Sequence, residues 1–362
     1  MNEPVRRHYE LYPYPGYPLL ASVRRSDTCH LNLEALWAYF NGTLPPADSR
    51  RILIAGCGSF SPYPYSLANP DITITALDLS RRSLNRARLH CRLHGRRNVT
   101  FIQGDLLDPG VADDRFGYID AYGVLHHLAD PAAGLAALAG RLADDGIIRI
   151  MVYSRYARRD EESIRRALRL LKISDTATLK QLLKRARPGS RLREYLDTAS
   201  EARFESGLAD ALLHPCVTTY RIDGLLEMIS AAGLVPLLFA HHDALDNVDG
   251  EISRIRAMET EQDSPGNFVV YLGQGDRKRA APDGETLVML NRTLHGSVGT
   301  FRLAPLQLPG RPGSEGLTLG RQERCFLRRF TTPVPWNELT PAEQAMVTVY
   351  SKALLLLQYR ST

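Results

Sequence analysis

The run Arg51-Ile-Leu-Ile-Ala-Gly-Cys-Gly-Ser59 constrains this chain more than any other. Residues 52–55 are all apolar and lead straight into Gly-x-Gly. A short unbroken apolar run reads as a strand buried on both faces, and glycines at its end mark a loop whose backbone passes close to a ligand. Residues 72–77, Ile-Thr-Ile-Thr-Ala-Leu, read as a second, largely apolar strand that leads into Asp78, 22 residues after Gly56. That is the spacing at which a carboxylate grips ribose hydroxyls.

Three stretches downstream sharpen the pattern. Val99-Thr-Phe-Ile-Gln-Gly-Asp-Leu106 predicts a strand ending in Gly104-Asp105, where the acid can accept from an adenine amine while Leu106 packs on the ring. A nicotinamide-binding unit has no need of an acid there. Residues 116–122 predict a strand opening into Gly123-Val-Leu-His-His-Leu-Ala-Asp-Pro131, and a helix over 132–142 precedes a strand over 147–153. Strand, loop and helix alternate from Arg51 to Tyr153, which predicts a parallel sheet covered by helices on both faces, with ligands at the carboxyl ends of its strands.

These residues resemble the class I S-adenosylmethionine-dependent methyltransferases. The resemblance is closest to a bacterial group, often fused to tetratricopeptide repeats, with "ILIAGCGTG", "DLS", "GVLHHLADP" and "LYSELAR" blocks. Here those blocks read as residues 52–59, Asp78-Leu79-Ser80, Gly123 to Pro131 and Val152-Tyr-Ser-Arg-Tyr-Ala-Arg158. The similarity reaches forward to Val5-Arg-Arg-His-Tyr-Glu-Leu-Tyr-Pro-Tyr-Pro15 and back through Ala211-Leu-Leu-His214 to about Gly273, without a repeat-bearing half.

The resemblance implies a Rossmann-like α/β fold with a seven-stranded sheet and S-adenosyl-L-methionine as cofactor. The cofactor-binding set it implies is Gly56, Cys57, Gly58, Asp78, Leu79, Asp105, Leu106 and Tyr122. Two departures bear on the methionine end. Phe60 replaces the group's third glycine, and Ile54-Ala55 stand where many methyltransferases place an acid. Pro62 and Pro64 force an early, shortened helix start, because proline is tolerated only in the first turn.

With 362 residues, 44% of them hydrophobic, the chain is long enough for one α/β domain and an appendage. The expected organisation is an N-terminal Tyr/Pro segment and helix over 1–50, a methyltransferase domain over 51–275 with a helical cap over 155–219, and an appendage over 284–362. A charged linker with Asp276-Arg-Lys-Arg279 separates the last two. The start of the chain has no apolar core of a signal sequence, and no stretch reaches the length of a membrane span. Five scattered cysteines fit a reduced, cytoplasmic protein and show no zinc spacing.

The net charge of +5 is concentrated in the cap, where Arg158-Arg159, Arg165-Arg166, Arg169, Lys172 and Lys184-Arg-Ala-Arg187 are crowded together. Ile164, Leu168 and Leu171 give that region an amphipathic helix with a basic outer face, and Asp175 caps a second helix running to Arg187. The face is either solvated or a cationic rim for an acidic substrate or nucleic acid. The absence of interleaved aromatics before Tyr195 weighs against nucleic acid. In the appendage Thr340-Pro341 opens a helix expected to run to about Gln358, whose apolar residues pack on the main domain or on a second subunit as a homodimer.

Methyl transfer from a sulfonium is an in-line displacement, so positioning supplies most of the acceleration, and a base is needed only for poorly acidic acceptors. The candidate base is His126, with His127 expected to pack beneath the next helix. Tyr9, Tyr12, Tyr14 and Tyr17 alternate with Pro13, Pro15 and Pro18 in a stiff extended segment. That segment is either a strap on the sheet edge or a cover over the cofactor, in which case Tyr9 and Tyr14 reach the reacting atoms. Tyr122, Tyr153, Arg155 and His214 are secondary candidates. The expected activity is methyl transfer to a small molecule or to a peptide or protein side chain. The alternatives are an RNA methyltransferase using the basic cap and a catalytically silent cofactor-binding scaffold.

Overall fold

The computed structural model describes residues 3–199, 204–275, 277, 281–299, 304–310 and 313–360. Asp276, Lys278 and Arg279 of the expected linker lie outside the described residues.

Along the chain come α1 (Glu3–Leu11), α2 (Leu33–Asn41), β1 (Arg51–Ala55), α3 (Pro62–Ala68), β2 (Thr73–Asp78), α4 (Arg81–Leu93) and β3 (Val99–Gln103). After these come β4 (Phe116–Tyr122), α5 (Pro131–Ala139) and β5 (Leu142–Val152). The strands assemble into a seven-stranded sheet in the order β3-β2-β1-β4-β5, completed by two strands from beyond residue 230. The alternation in β1 explains why the sheet needs cover on both sides. Ile52 and Ile54 join one core cluster with α2 and Tyr65 of α3, while Leu53 and Ala55 join the other with Leu135 and Leu138 of α5.

From β5 the chain leaves the sheet for the cap, four helices named α6 (Arg159–Leu170), α7 (Thr176–Lys184), α8 (Arg191–Thr198) and α9 (Glu205–Leu213). It returns beside its point of departure, because Tyr220 N donates to Tyr153 O at 2.9 Å and Arg155 N to Tyr220 O at 2.8 Å. The cap has its own core of Ile164, Leu168, Leu179, Leu183, Tyr195, Leu208 and Leu212. Its amphipathic reading needs two corrections. Leu171 is exposed at the end of α6, and Arg165 is buried, donating from Nε to Ala211 O at 2.6 Å. A carbonyl from α9 draws that arginine off the basic outer face.

Next come α10 (Ile222–Ala231), β6 (Val235–Phe239), α11 (Val248–Thr260) and β7 (Phe268–Gly273). The last strand runs antiparallel to both β5 and β6 and completes the sheet. No helix among the described residues is long and apolar enough to cross a membrane.

The appendage comprises β8 (Thr286–Leu290), the short α12 (His295–Gly299), a hairpin of β9 (Leu306–Leu308) and β10 (Leu317–Leu319), then α13 (Arg321–Arg328), β11 (Val334–Pro335), α14 (Pro341–Lys352) and β12 (Leu356–Arg360). Here the expectation of one helix to Gln358 fails. Leu354 takes φ 60° and ends the helical path, and the following residues pair with β8 as a strand. Consecutive leucines cannot all face one side of a helix, whereas a strand sends them alternately to two cores. Leu357 and Tyr359 join the sheet-side cluster with α2, and Leu356 joins the appendage cluster. The run that suggested a second subunit is thus covered within the chain.

Candidate active site

A cavity of about 370 Å³ opens at the carboxyl ends of β1, β2, β3 and β4, where parallel strands present their loops. Every residue of the expected cofactor set lines it: Gly56, Cys57, Gly58, Asp78, Leu79, Asp105, Leu106 and Tyr122.

The glycine loop owes its path to backbone that only glycine adopts easily. Gly56 has φ +67° and Gly58 φ +58°; a Cβ on the first would meet Val124 Cγ2 at 2.5 Å and on the second Tyr14 O at 2.5 Å. Cys57 N donates to Leu77 O at 2.9 Å, holding the loop against the end of β2. Its thiol is buried, and burial pushes its pKa well up.

Asp78 is the electrostatic centre of this half. Its carboxylate accepts from Gly58 N and Ser80 N, each at 2.8 Å, and so ties the glycine loop to the start of α4. Burial outweighs these two hydrogen bonds and raises its pKa from 3.8 to about 6. Asp105 accepts from Leu107 N at 3.0 Å on the half-buried turn after β3. Tyr122 sits half-exposed at the end of β4, with the Arg149 guanidinium 5.0 Å from its ring. Arg149 is held by Asp120 at 2.7 Å, so the tyrosine's underside is fixed by a buried ion pair.

The N-terminal segment closes one side. Residues 3–11 are helical, which corrects the expectation that Tyr9 lies in an extended segment; only the stretch after Leu11 runs irregularly through Pro13, Pro15 and Pro18. Ser59 N donates to Tyr14 O at 3.0 Å, Ser80 Oγ to Tyr9 O at 3.2 Å, and Arg81 N to Glu10 Oε1 at 2.6 Å. Glu10 thereby meets the exposed amides of the N-terminus of α4, where a carboxylate is favoured. Tyr9, Tyr14, Pro15 and Tyr17 all line the cavity. Phe60, in place of the third glycine, packs its ring against Tyr17 at 4.7 Å, so the departure anchors the segment.

The cap supplies the far wall. Tyr9 Oη donates to Asp210 Oδ1 at 2.8 Å, joining α1 to α9 across the cavity, and burial raises the phenol's pKa well above 10. The histidine pair reverses the expected roles. His126 is fully buried, stacked on Tyr153 at 3.8 Å, and does not line the cavity, whereas His127 does. The reason is the single 3₁₀ turn Leu125–His127, which directs successive rings differently. His127 Nδ1 lies 2.9 Å from Cys216 O; a carbonyl only accepts, so the proton sits on Nδ1 and Nε2 keeps a lone pair. Burial lowers its pKa, so the ring is neutral at physiological pH.

Asp210, Arg158 and Asn267 also line the cavity and were missed in the sequence; Arg155, proposed there, points to solvent instead. Asp210 did leave a signal, as a lone carboxylate in Gly207-Leu-Ala-Asp-Ala-Leu-Leu213. His8, Asp210 and His214 bring potential ligand atoms within 4.8 Å of one another. His214 Nδ1, however, accepts from Cys216 N at 3.1 Å, which places that ring's proton on Nε2 and leaves no lone pair there for a cation.

Residues 53–148 match the family model of a methyltransferase domain. Over those residues the chain carries a methyltransferase domain. A structure of PKMT2 from Rickettsia typhi aligns over 97% of this chain and 78% of its own, with TM-score 0.59 and 14% identity. The same protein in complex with AdoHcy aligns over the same shares with TM-score 0.54 and 13% identity. The likeness in fold therefore extends beyond the methyltransferase domain into the appendage. An uncharacterized protein from Synechococcus sp. is 30% identical over 254 residues, which are 67% of this chain and 61% of that relative. An uncharacterized phycocyanin operon protein W from Pseudanabaena tenuis is 34% identical over 85 residues, 23% of this chain and 80% of its own length.

Proposed function

We propose that this protein transfers the methyl group of S-adenosyl-L-methionine to a small molecule or to a side chain of a peptide or protein. The observation that carries the reading is Asp78, a buried carboxylate at the end of β2 that organises the glycine loop and faces a cavity open to a ligand. In this reading the cofactor lies across Gly56 and Gly58, with its ribose on Asp78 and its adenine between Asp105 and Leu106. The AdoHcy held by the fold neighbour from Rickettsia typhi supports that choice of ligand.

The acceptor then occupies the outer half, among Tyr9, Tyr14, His127, Tyr153 and Asp210. Its nucleophilic atom attacks the methyl carbon in line with the carbon–sulfur bond, whose electron pair returns to sulfur as AdoHcy is formed. Where the acceptor carries a proton to be lost, His127 Nε2 takes it, because the Cys216 carbonyl fixes the complementary tautomer. His126 has no access to that path. The ring of Tyr9, which lines the cavity, suits a cationic sulfonium nearby, whereas Tyr153 has His126 stacked on it and the Arg158 guanidinium 4.1 Å from its ring centroid.

Calorimetry with S-adenosyl-L-methionine and AdoHcy tests the cofactor half, with saturable one-site binding of both as the expected outcome. Absence of binding would overturn the cofactor assignment, and binding without methyl transfer to any fraction in the assay that follows would leave the silent cofactor-binding scaffold in its place. Incubation with methyl-labelled cofactor and a cell extract, separated into small-molecule, protein and RNA fractions, then reports the acceptor class. Label confined to RNA would overturn the choice made here.

A further inference from the structure

The cap holds a second cavity, of about 680 Å³, which His214 lines. His214 is its link to the first site, since its ring lies 3.8 Å from that of His127. Five arginines line the second cavity, Arg159, Arg165, Arg166, Arg169 and Arg191, against one carboxylate, Glu162. That carboxylate is engaged by the Thr219 hydroxyl at 2.5 Å. Among the described residues none of the five guanidiniums is paired with an acid. Arg159 reaches only Gln262 Oε1 at 3.4 Å, and Arg191 only Ser163 Oγ at 3.4 Å.

Arg165 makes this more than a charged surface. It is only 6% exposed, its Nη2 has no partner, and its Nε donates to the Ala211 carbonyl. Burial disfavours its charge, Glu161 and Asp210 are the acids near enough to favour it, and an unsatisfied buried donor is costly. Helix α6 holds this one beside Arg159, Arg166 and Arg169, and α8 adds Arg191 to the same open space. An anion in that space would satisfy the unpartnered donor of Arg165, and guanidinium forks match the oxygens of phosphate and carboxylate.

We infer that this cavity is an oxyanion site, which takes a phosphate or carboxylate group through Arg165, Arg166, Arg169 and Arg191. The group belongs either to the methyl acceptor or to a separate effector; the recognition chemistry is the same. The inference stands on the cap alone and does not require the cofactor assignment to be right.

Inorganic pyrophosphate is the probe, titrated calorimetrically into the full-length protein at fixed ionic strength. One saturable site is expected, weakened at least tenfold in the double variant Arg166→Gln/Arg169→Gln. Both side chains are exposed, so the variant should keep the wild-type melting temperature and cofactor affinity. Arg191→Gln, on a different helix, should weaken binding as well. Lys184→Gln, basic and exposed but outside the cavity, should not. No saturable binding, or equal loss with Lys184→Gln, would overturn the site, as would binding of a single-stranded RNA oligomer with a steep salt dependence in place of pyrophosphate. Addition of pyrophosphate to the labelled-methyl assay separates the sources. Suppressed transfer assigns the anion to the acceptor, and unchanged or raised transfer assigns it to an effector.

Discussion

The two halves of the cavity are built on different physical terms. The inner half is made by the ends of parallel strands, where each apolar run fixes its own position in the sheet and delivers one contact: Gly56 and Gly58 after β1, Asp78 at the end of β2, Asp105 after β3. The outer half is made by elements that meet only in the folded chain. Tyr9 on α1, His127 on a 3₁₀ turn and Asp210 on α9 are separated by more than 80 residues at each step, yet line one space. A local pattern specifies the first kind of site; long-range packing specifies the second.

The largest effect should come from breaking the inner half. Asp78→Ala removes an acceptor for two backbone amides and, in the proposed complex, for the ribose hydroxyls. Charge-assisted hydrogen bonds of this kind contribute about 1.5–3 kcal/mol. Calorimetric affinity for S-adenosyl-L-methionine should fall by a factor on the order of ten to a hundred, and unchanged affinity would remove the ribose assignment. Gly58→Ala tests whether the two halves are coupled. Its Cβ would collide with Tyr14 O, and a residue with a side chain at positive φ costs about 1–2 kcal/mol. Limited proteolysis should then cut within residues 12–18 faster than in the wild type, together with a loss of cofactor affinity of roughly tenfold.

The comparison also explains what the sequence revealed. The order and type of the core strands, the residues that line the inner half of the cavity and the helical insertion after β5 were legible because apolar runs, glycines and strand-end acids act locally. The choice between His126 and His127 was not legible, since adjacent residues differ only in which way a single turn aims them. Arg165 was read as an outward charge because helical periodicity gives a face but not the carbonyl of Ala211 that captures it. The leucines at 354–357 carried too little pattern to separate helix from strand, and pairing with β8 decided the outcome.

The pH response should run in opposite directions for folding and for binding. Asp78 in the free protein has its pKa raised from 3.8 to about 6. Its protonation therefore contributes stability that is fully present below about 3.8 and lost as pH rises through about 6. Cofactor binding needs the ionised carboxylate as an acceptor, so affinity should drop by up to about tenfold per unit as pH falls below that same value. Calorimetry between pH 4.5 and 7.5 should show this slope in the wild type and not in Asp78→Asn; the same slope in both would assign the titration to another group.

The smallest change in cofactor affinity, and the sharpest separation of the halves, should come from Tyr9→Phe. The substitution keeps the ring that lines the cavity and removes only the hydroxyl donated to Asp210. Asp210 then loses a partner while remaining buried, which costs about 1–3 kcal/mol and should appear as a lower melting temperature. The glycine loop, Asp78 and Asp105 are untouched, so affinity for S-adenosyl-L-methionine should stay within about twofold. If the outer half holds the acceptor, kcat for labelled-methyl transfer falls in the same variant, because a misaligned nucleophile loses the in-line approach without weakening the cofactor. Normal transfer with a lowered melting temperature would reduce the Tyr9–Asp210 bond to a structural tie between α1 and the cap.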